Sequence, residues 1–368
     1  MHTGCPYALA VGRTFTCLVL GLAAVSAHAQ PGGDPSGIDF VTIGNAGNAP
    51  FRTANPNDFV NGRGGVNYDY RIGRMEVTSA QWLDFFNAAF DRPADDRLPH
   101  LIPPEFWGGV PATPINAGGR RWTVPAVNAN LPAGDVSWRM AAMYCNWLHN
   151  DRRTDRAAFL SGAYDVSTFG FTPGGIFTDQ TAHSPGARYW IPTWDEWLKA
   201  AHYDPGKPNP DGSAGGWWTY SNGSDIAFTY GPPGTGTANA GFDSPNPFSI
   251  PLGSYGVTSP YGLLDVAGGA TEWTESIRTL NTGDKYRVHD GSFWTEDAFE
   301  AGLLDRTREW GGELPHIADY WYGLRLASSV PSPSSATVFG LCGMLCVAHR
   351  RRSITCNSAR SSHSQSRF

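Results

Sequence analysis

Cysteine decides most about the chemistry open to this sequence. Six cysteines occur: Cys5 and Cys17 near the start, Cys342, Cys346 and Cys356 near the end, and Cys145 alone between them. A single thiol cannot form a disulfide within the long central stretch, nor can it build a cysteine-rich zinc site there. His289 beside Asp290 brings together side-chain types suited to proton transfer. Neighbours on a strand point to opposite faces, however, so the two do not form an acid–base pair. Asp195 and Glu196 fall at a helix start, where both favour the helix dipole and need no further function.

The elements that position these residues can be read from their boundaries. Thr78-Ser79-Ala80-Gln81 is a capping-box pattern that opens a helix over residues 82–89, and Thr193-Trp194-Asp195-Glu196 does the same for residues 197–202. Ser137 caps a third helix over residues 138–149, whose spacing puts Ala141, Ala142, Cys145 and Leu148 on one buried face. Alternating stretches at 39–43, 70–77 and 286–288 predict strands. The class is α+β. Among 368 residues, 44 are Gly, 28 Pro and 14 Trp while only 16% are charged, a balance that favours long packed loops over repeated helices. The net charge of -6 comes with no basic face, so nucleic acid is not an expected partner.

Both ends read as addresses. Arg13 precedes an apolar run over 15–25, and Ala27-His28-Ala29 offers small residues where a signal peptidase cuts. Residues 1–29 are therefore expected to be a signal peptide. The run is too short to span a bilayer, which takes about 20 residues. One globular domain is expected over 38–328, then a Pro/Ser linker at 329–335, an apolar segment with an Arg cluster at 336–352, and a disordered tail at 353–368. Val330-Pro331-Ser332-Pro333-Ser334, the apolar run and His349-Arg350-Arg351-Arg352 together resemble PEP-CTERM sorting signals. Ser332 stands where those signals carry Glu, and the chain runs on past the Arg cluster. The alternative is a simple C-terminal membrane anchor. Either reading makes the protein exported, extracellular or cell-surface associated. The sorting machinery of the envelope would be one partner, with transient membrane contact through the C-terminal segment.

Several runs, taken in order, resemble the formylglycine-generating enzyme (sulfatase-modifying factor) family. They are Phe40-Val41-Thr42-Ile43-Gly44, Arg74-Met75-Glu76-Val77-Thr78, Val136-Ser137-Trp138 and Tyr189-Trp190-Ile191-Pro192-Thr193 with Glu196-Trp197. After these come Gly262-Leu263-Leu264-Asp265-Val266-Ala267-Gly268-Gly269-Ala270-Thr271-Glu272-Trp273, Asp290-Gly291-Ser292-Phe293-Trp294 and Gly323-Leu324-Arg325-Leu326-Ala327. The resemblance implies an irregular, C-type-lectin-like fold with short strands, few helices and long loops. It also implies a reaction in which two cysteines bind copper, activate dioxygen and oxidise a substrate cysteine; a soft thiolate pair selects Cu(I). Those positions fall on Thr295 and Glu300 here, so no catalytic residue is assigned and copper is not expected. A related branch holds iron through His-x-x-x-His-x-Glu, a motif this sequence lacks.

The family's calcium turn is better kept. Its ligand positions correspond to Asp265, Gly268, Ala270 and Glu272, hard oxygen donors of the kind calcium accepts. Without an ion, Glu272 would only cap a turn and Asp265 would face solvent. A second calcium turn would begin near Asn239, but its downstream ligands are not recognisable. His289, Trp294, Glu300, Arg306, Arg308, Trp310, Tyr320, Trp321 and Tyr322 flank the family's substrate groove. They suit an unknown peptide, protein or glycan ligand, or they pack loops against the core. The functional expectation is an exported family member without formylglycine-generating activity, acting as a surface-associated binding or structural module. The alternative is a divergent metal-dependent oxidoreductase.

Overall fold

The computed structural model describes residues 34–102, 108–112, 121–239, 249–291, 302–303 and 312–331. Residues 1–29, 336–352 and 353–368, and with them Trp294, Thr295, Glu300, Arg306, Arg308 and Trp310, lie outside the described residues. The described residues cluster as one compact unit.

The first half runs β1 (Phe40–Ile43), β2 (Tyr70–Gly73), α1 (Ser79–Phe90), β3 (Val110–Pro111), β4 (Trp122–Thr123), α2 (Trp138–His149) and α3 (Ala157–Leu160). The second runs β5 (Tyr189–Trp190), α4 (Trp194–His202), β6 (Tyr203–Pro208), β7 (Ala214–Trp217), β8 (Thr271–Thr279), β9 (Lys285–Asp290), β10 (Tyr322–Gly323) and β11 (Ala327–Ser329). This is an α+β fold of few helices, short strands and long loops. A four-stranded sheet has the order β1-β2-β11-β5, and a three-stranded sheet the order β10-β8-β9. In the first, the last strand among the described residues lies inside the sheet: β11 pairs antiparallel with β2 on one side and with β5 on the other.

The helix starts follow the capping residues. Thr78 and Thr193 form complete capping boxes with Gln81 and Glu196, and the Ser137 hydroxyl accepts from the Met140 amide. Each box satisfies backbone donors at the helix start that would otherwise be orphaned. Because the cap itself sets the first turn, α1 begins at Ser79 and α4 at Trp194, one turn before their apolar periodicity. The strand expected over 70–77 stops at Gly73. Glu76 to Thr78 leave the ladder, and Val77 pairs its amide with Leu324 instead.

The expectation of one buried face on α2 was too narrow. Every residue from Trp138 to Leu148 is buried, because α1, α3 and β5 close around it. Trp82 and Phe85 of α1 meet the Tyr144 ring edge-on at 5.2 and 5.3 Å, while Phe159 of α3 lies 6.1 Å from Phe85. Aromatic edge-to-face packing of this kind adds about 0.5–1.5 kcal/mol per pair beyond the area buried. Cys145 sits in the middle of this core, fully buried, and burial pushes its thiol pKa well up.

Candidate functional site: the acidic turn before β8

The turn leading into β8 is built from residues with unusual backbone freedom. Asp265, Gly268 and Gly269 all have positive φ, at 54°, 88° and 70°. The Gly269 amide donates to Asn239 Oδ1 at 2.8 Å, so a residue 30 positions earlier braces this turn. A Cβ on Gly269 would come within 2.8 Å of Glu76 Oε1, so glycine is required for space as well as for φ.

Glu272, the second residue of β8, is 1% exposed and does more than cap a turn. Its two oxygens take Nε of Arg325 at 3.0 and 2.9 Å, and Oε1 also takes Nη2 at 2.7 Å. Trp197 Nε1 of α4 donates to Oε2 at 2.6 Å. Arg325 is itself fully buried and spends its remaining donors on the carbonyls of Gly73, Arg74 and Leu264. Burial alone would lower its pKa, but Glu272 more than offsets this and raises it. A buried pair this completely hydrogen-bonded tolerates desolvation, and it ties β8, α4, β2 and the segment before β11 to one point.

Asp265 is partly buried rather than solvent-facing. One oxygen accepts from the Gly253 amide at 2.6 Å, and burial raises its pKa to about 6. It borders a cavity of about 10 Å³ shared with Tyr255, Ser259 and Thr237, room for one water-sized sphere. Glu76 completes the group. It is 2% exposed, and neither carboxylate oxygen has a hydrogen bond of normal geometry, although the Ala270 amide lies close. Burial, followed by the neighbouring Glu272 charge, pushes its pKa well up.

Three carboxylates therefore share the electrostatic neighbourhood of one guanidinium, and each offers only oxygen to a cation. Among the described residues, no three acidic, His or Cys side chains close on a single point. A cation here would need main-chain carbonyls such as those of Gly268 and Ala270. That combination fits calcium, which accepts carboxylate and carbonyl oxygen together.

Beside this turn lie those residues expected to flank a groove that are among the described ones. His289 Nδ1 sits 3.0 Å from Thr271 Oγ1, and its ring packs against Trp273 and Tyr322 at 5.8 and 5.1 Å. Asp290 turns the other way: Oδ2 takes Trp194 Nε1 at 2.6 Å and Oδ1 takes the Gly291 amide at 2.7 Å. Trp321 stacks edge-on to Tyr320 at 4.4 Å. Glu76 and Arg325 were not singled out by sequence reasoning, and Asn239 was named only as the start of a second turn, not as a brace for this one. Glu76 and Arg325 do sit inside the runs that carry the family resemblance, which was the one signal available.

Residues 40–330 match the family model described as "Sulfatase-modifying factor enzyme 1-like domain", and the chain belongs to that family. Among curated relatives it is similar to hercynine oxygenase of Mycolicibacterium smegmatis, with 25% identity over 294 residues, 71% of this chain and 53% of the relative. The chain thus spans about half the length of the curated relative it matches. Among solved structures it is similar to Treponema denticola variable protein 1, with 18% identity, TM-score 0.48, and coverage of 79% of this chain and 95% of that one. It is also similar to CarF, with 20% identity, TM-score 0.49, and coverage of 80% and 100%.

Proposed function

We propose that this chain is an exported member of the family that does not generate formylglycine and serves at the cell surface as a binding or structural module. One observation carries the reading: no cysteine lies between Cys145 and Cys342, and Cys145 is locked in the α2 core with a raised thiol pKa. The family's reaction needs two thiolates that can reach a soft metal and a substrate peptide. Thr295 and Glu300, at the corresponding positions, supply neither. The groove aromatics His289, Trp321 and Tyr322 suit a peptide, protein or glycan ligand. Calcium at the acidic turn would then hold the scaffold rather than react. Export rests on the leader-like residues 1–29 and the sorting-signal-like segment 336–352.

The alternative, a divergent metal-dependent oxidoreductase, is favoured by the similarity to hercynine oxygenase. Against it stands the lack of the family's iron-holding histidine motif in this sequence. Purified chain loaded with copper and incubated with a sulfatase-type cysteine peptide is expected to leave the peptide mass unchanged; a formylglycine product overturns the proposal. Elemental analysis separates the two readings further, since calcium without a redox metal is expected, and stoichiometric iron or copper would transfer support to the oxidoreductase.

A further inference from the structure

A cavity of about 100 Å³ opens where α2 ends, lined by the charged Arg152, Arg188 and Asp151 and by the less polar Pro35, Leu148 and Tyr189. One water takes about 10–15 Å³ of such space, so the cavity has room for a molecule of a few heavy atoms. Part of its wall is fixed from behind. Ser36, which also lines the cavity, and Tyr189 both donate their hydroxyls to Asp34 Oδ1, at 2.6 and 2.8 Å, and Asp34 Oδ2 pairs with Arg71 at 2.9 Å. A wall set before a ligand arrives lowers the ordering cost of binding.

The two guanidiniums carry donors that the described chain does not use. Arg152 gives Nη2 to the Ser36 carbonyl, but its Nη1 is 3.9 Å from Asp84, beyond hydrogen-bond reach, and its Nε is buried without a partner. Arg188 spends Nη1 on Asp151 Oδ1 at 2.5 Å and on the His149 carbonyl at 3.2 Å. Among the described residues no hydrogen bond of normal geometry uses its Nε or Nη2, although the Tyr189 hydroxyl lies close enough to favour its charge. Asp151 and Arg152 both stand at positive φ, 56° and 58°, where a helix end ordinarily carries glycine. Their amides bond back to the Leu148 and Trp147 carbonyls, at 3.2 and 2.9 Å, and this reversal brings both side chains to the cavity.

Charge narrows the choice of ligand. Asp34 is committed to Arg71, and Asp84 is exposed, where a pair at its distance is worth little. Two guanidiniums against the one carboxylate of Asp151 leave a single net positive charge beside apolar Leu148 and Pro35. That suits a monoanion with a small apolar body better than phosphate or sulfate. We propose that this cavity binds a small monocarboxylate, whose oxygens accept from Arg152 and Arg188 while its alkyl end rests against Leu148 and Pro35. A planar carboxylate matches the guanidinium fork. Asp151 is a competitor within the chain: by holding Arg188 Nη1 it takes a donor that the ligand would otherwise use. The site draws on no residue of the groove or of the acidic turn.

The test is a ligand-observed NMR titration of the whole purified chain with propionate, at constant ionic strength held with sodium chloride. Wild type is expected to bind propionate saturably, and inorganic phosphate or sulfate should displace it only at about 10-fold higher concentration or more. R188Q should bind propionate at least about 10-fold more weakly, the worth of a charge-assisted bond. Should R188Q fail to fold, R188K keeps the charge without the fork, and weaker binding is again expected. D151N, whose asparagine tolerates the positive φ, should bind about 2- to 5-fold more tightly, because an exposed ion pair no longer competes. No saturable binding by wild type, or propionate binding unchanged in R188Q or R188K, overturns the site. Phosphate or sulfate binding as tightly as propionate overturns the assignment to a monocarboxylate, and weaker binding by D151N overturns the role given to Asp151.

Discussion

Glu275 and Glu76 are equally buried carboxylates, each 2% exposed, and the chain treats them in opposite ways. Glu275, in the middle of β8, is supplied entirely from within. Its Oε1 accepts from the Tyr164 hydroxyl at 2.8 Å and the His183 amide at 2.5 Å, and the His183 Nδ1 lies 3.1 Å from both oxygens. The His183 ring in turn stacks on Trp190 at 4.6 Å. The loop that provides these donors is held a second time by Arg287, which bonds to the carbonyls of Gln180, Thr181 and Glu275. Glu76 receives no such loop. The difference separates a carboxylate that organises the fold from one that the chain leaves buried without a normal hydrogen bond.

Removing the cation that keeps Glu272 in the satisfied class is the hardest way to break this comparison. Arg325→Met leaves Glu272 buried beside Glu76 with no counter-charge, and loss of one partner of a buried pair costs about 3–5 kcal/mol. Urea unfolding should show that loss or no folded protein at all; a variant within about 1 kcal/mol of wild type would mean that the pair does not hold the turn. Glu275→Gln should cost less, about 1–3 kcal/mol, by weakening charge-assisted bonds while keeping an acceptor. Its sign sharpens the contrast, since the matching change at Glu76, which neutralises a buried acid without a normal hydrogen bond, is expected to leave stability unchanged or raise it. Two losses of equal size would erase the distinction.

The smallest expected effect is pH-dependent. Burial alone lowers the His183 pKa, but its bond to the Glu275 carboxylate more than offsets this and leaves the value raised above 6.5. A folded pKa above the unfolded one means that the protonated ring stabilises the fold. That contribution is complete below about pH 6.5 and is lost as pH climbs through the raised value. The wild-type melting temperature should therefore drop slightly more between about pH 6.5 and 8 than that of His183→Gln. Parallel profiles would show that the imidazolium is not part of the clamp.

Local signals in the sequence carried the helices well. Thr78, Ser137 and Thr193 cap within three residues of themselves, so their caps are visible as short patterns. The two-residue strands β5 and β10 left no such trace, because their partners, β11 and β8, lie far along the chain. Periodicity also under-read α2: a helix closed in on all sides looks amphipathic when Arg139 and Asn146 are taken for surface residues. Arg139 is instead held by Asp179 at 2.9 and 2.7 Å, and Asn146 Nδ2 donates to the Phe159 and Tyr164 carbonyls. The candidate turn was legible as a run of residues, but its electrostatics were not. Glu76, Glu272 and Arg325 meet only after the chain has folded, and a single charged letter in a sequence does not announce whether it will be paired.

The position of β11 bears on the timing of folding. Ala327–Ser329 fills the space between β2 and β5, and Arg325 just before it neutralises Glu272. During synthesis, then, the earlier strands wait for their central member, and the buried acid waits for its counter-ion, until nearly all of the domain has emerged. Domains whose closing contacts join distant parts of the chain fold late and slowly. Nascent chains that stop short of residue 325 should stay open, with β2 and β5 unjoined, which makes the last few residues of this domain the step that commits it to its fold.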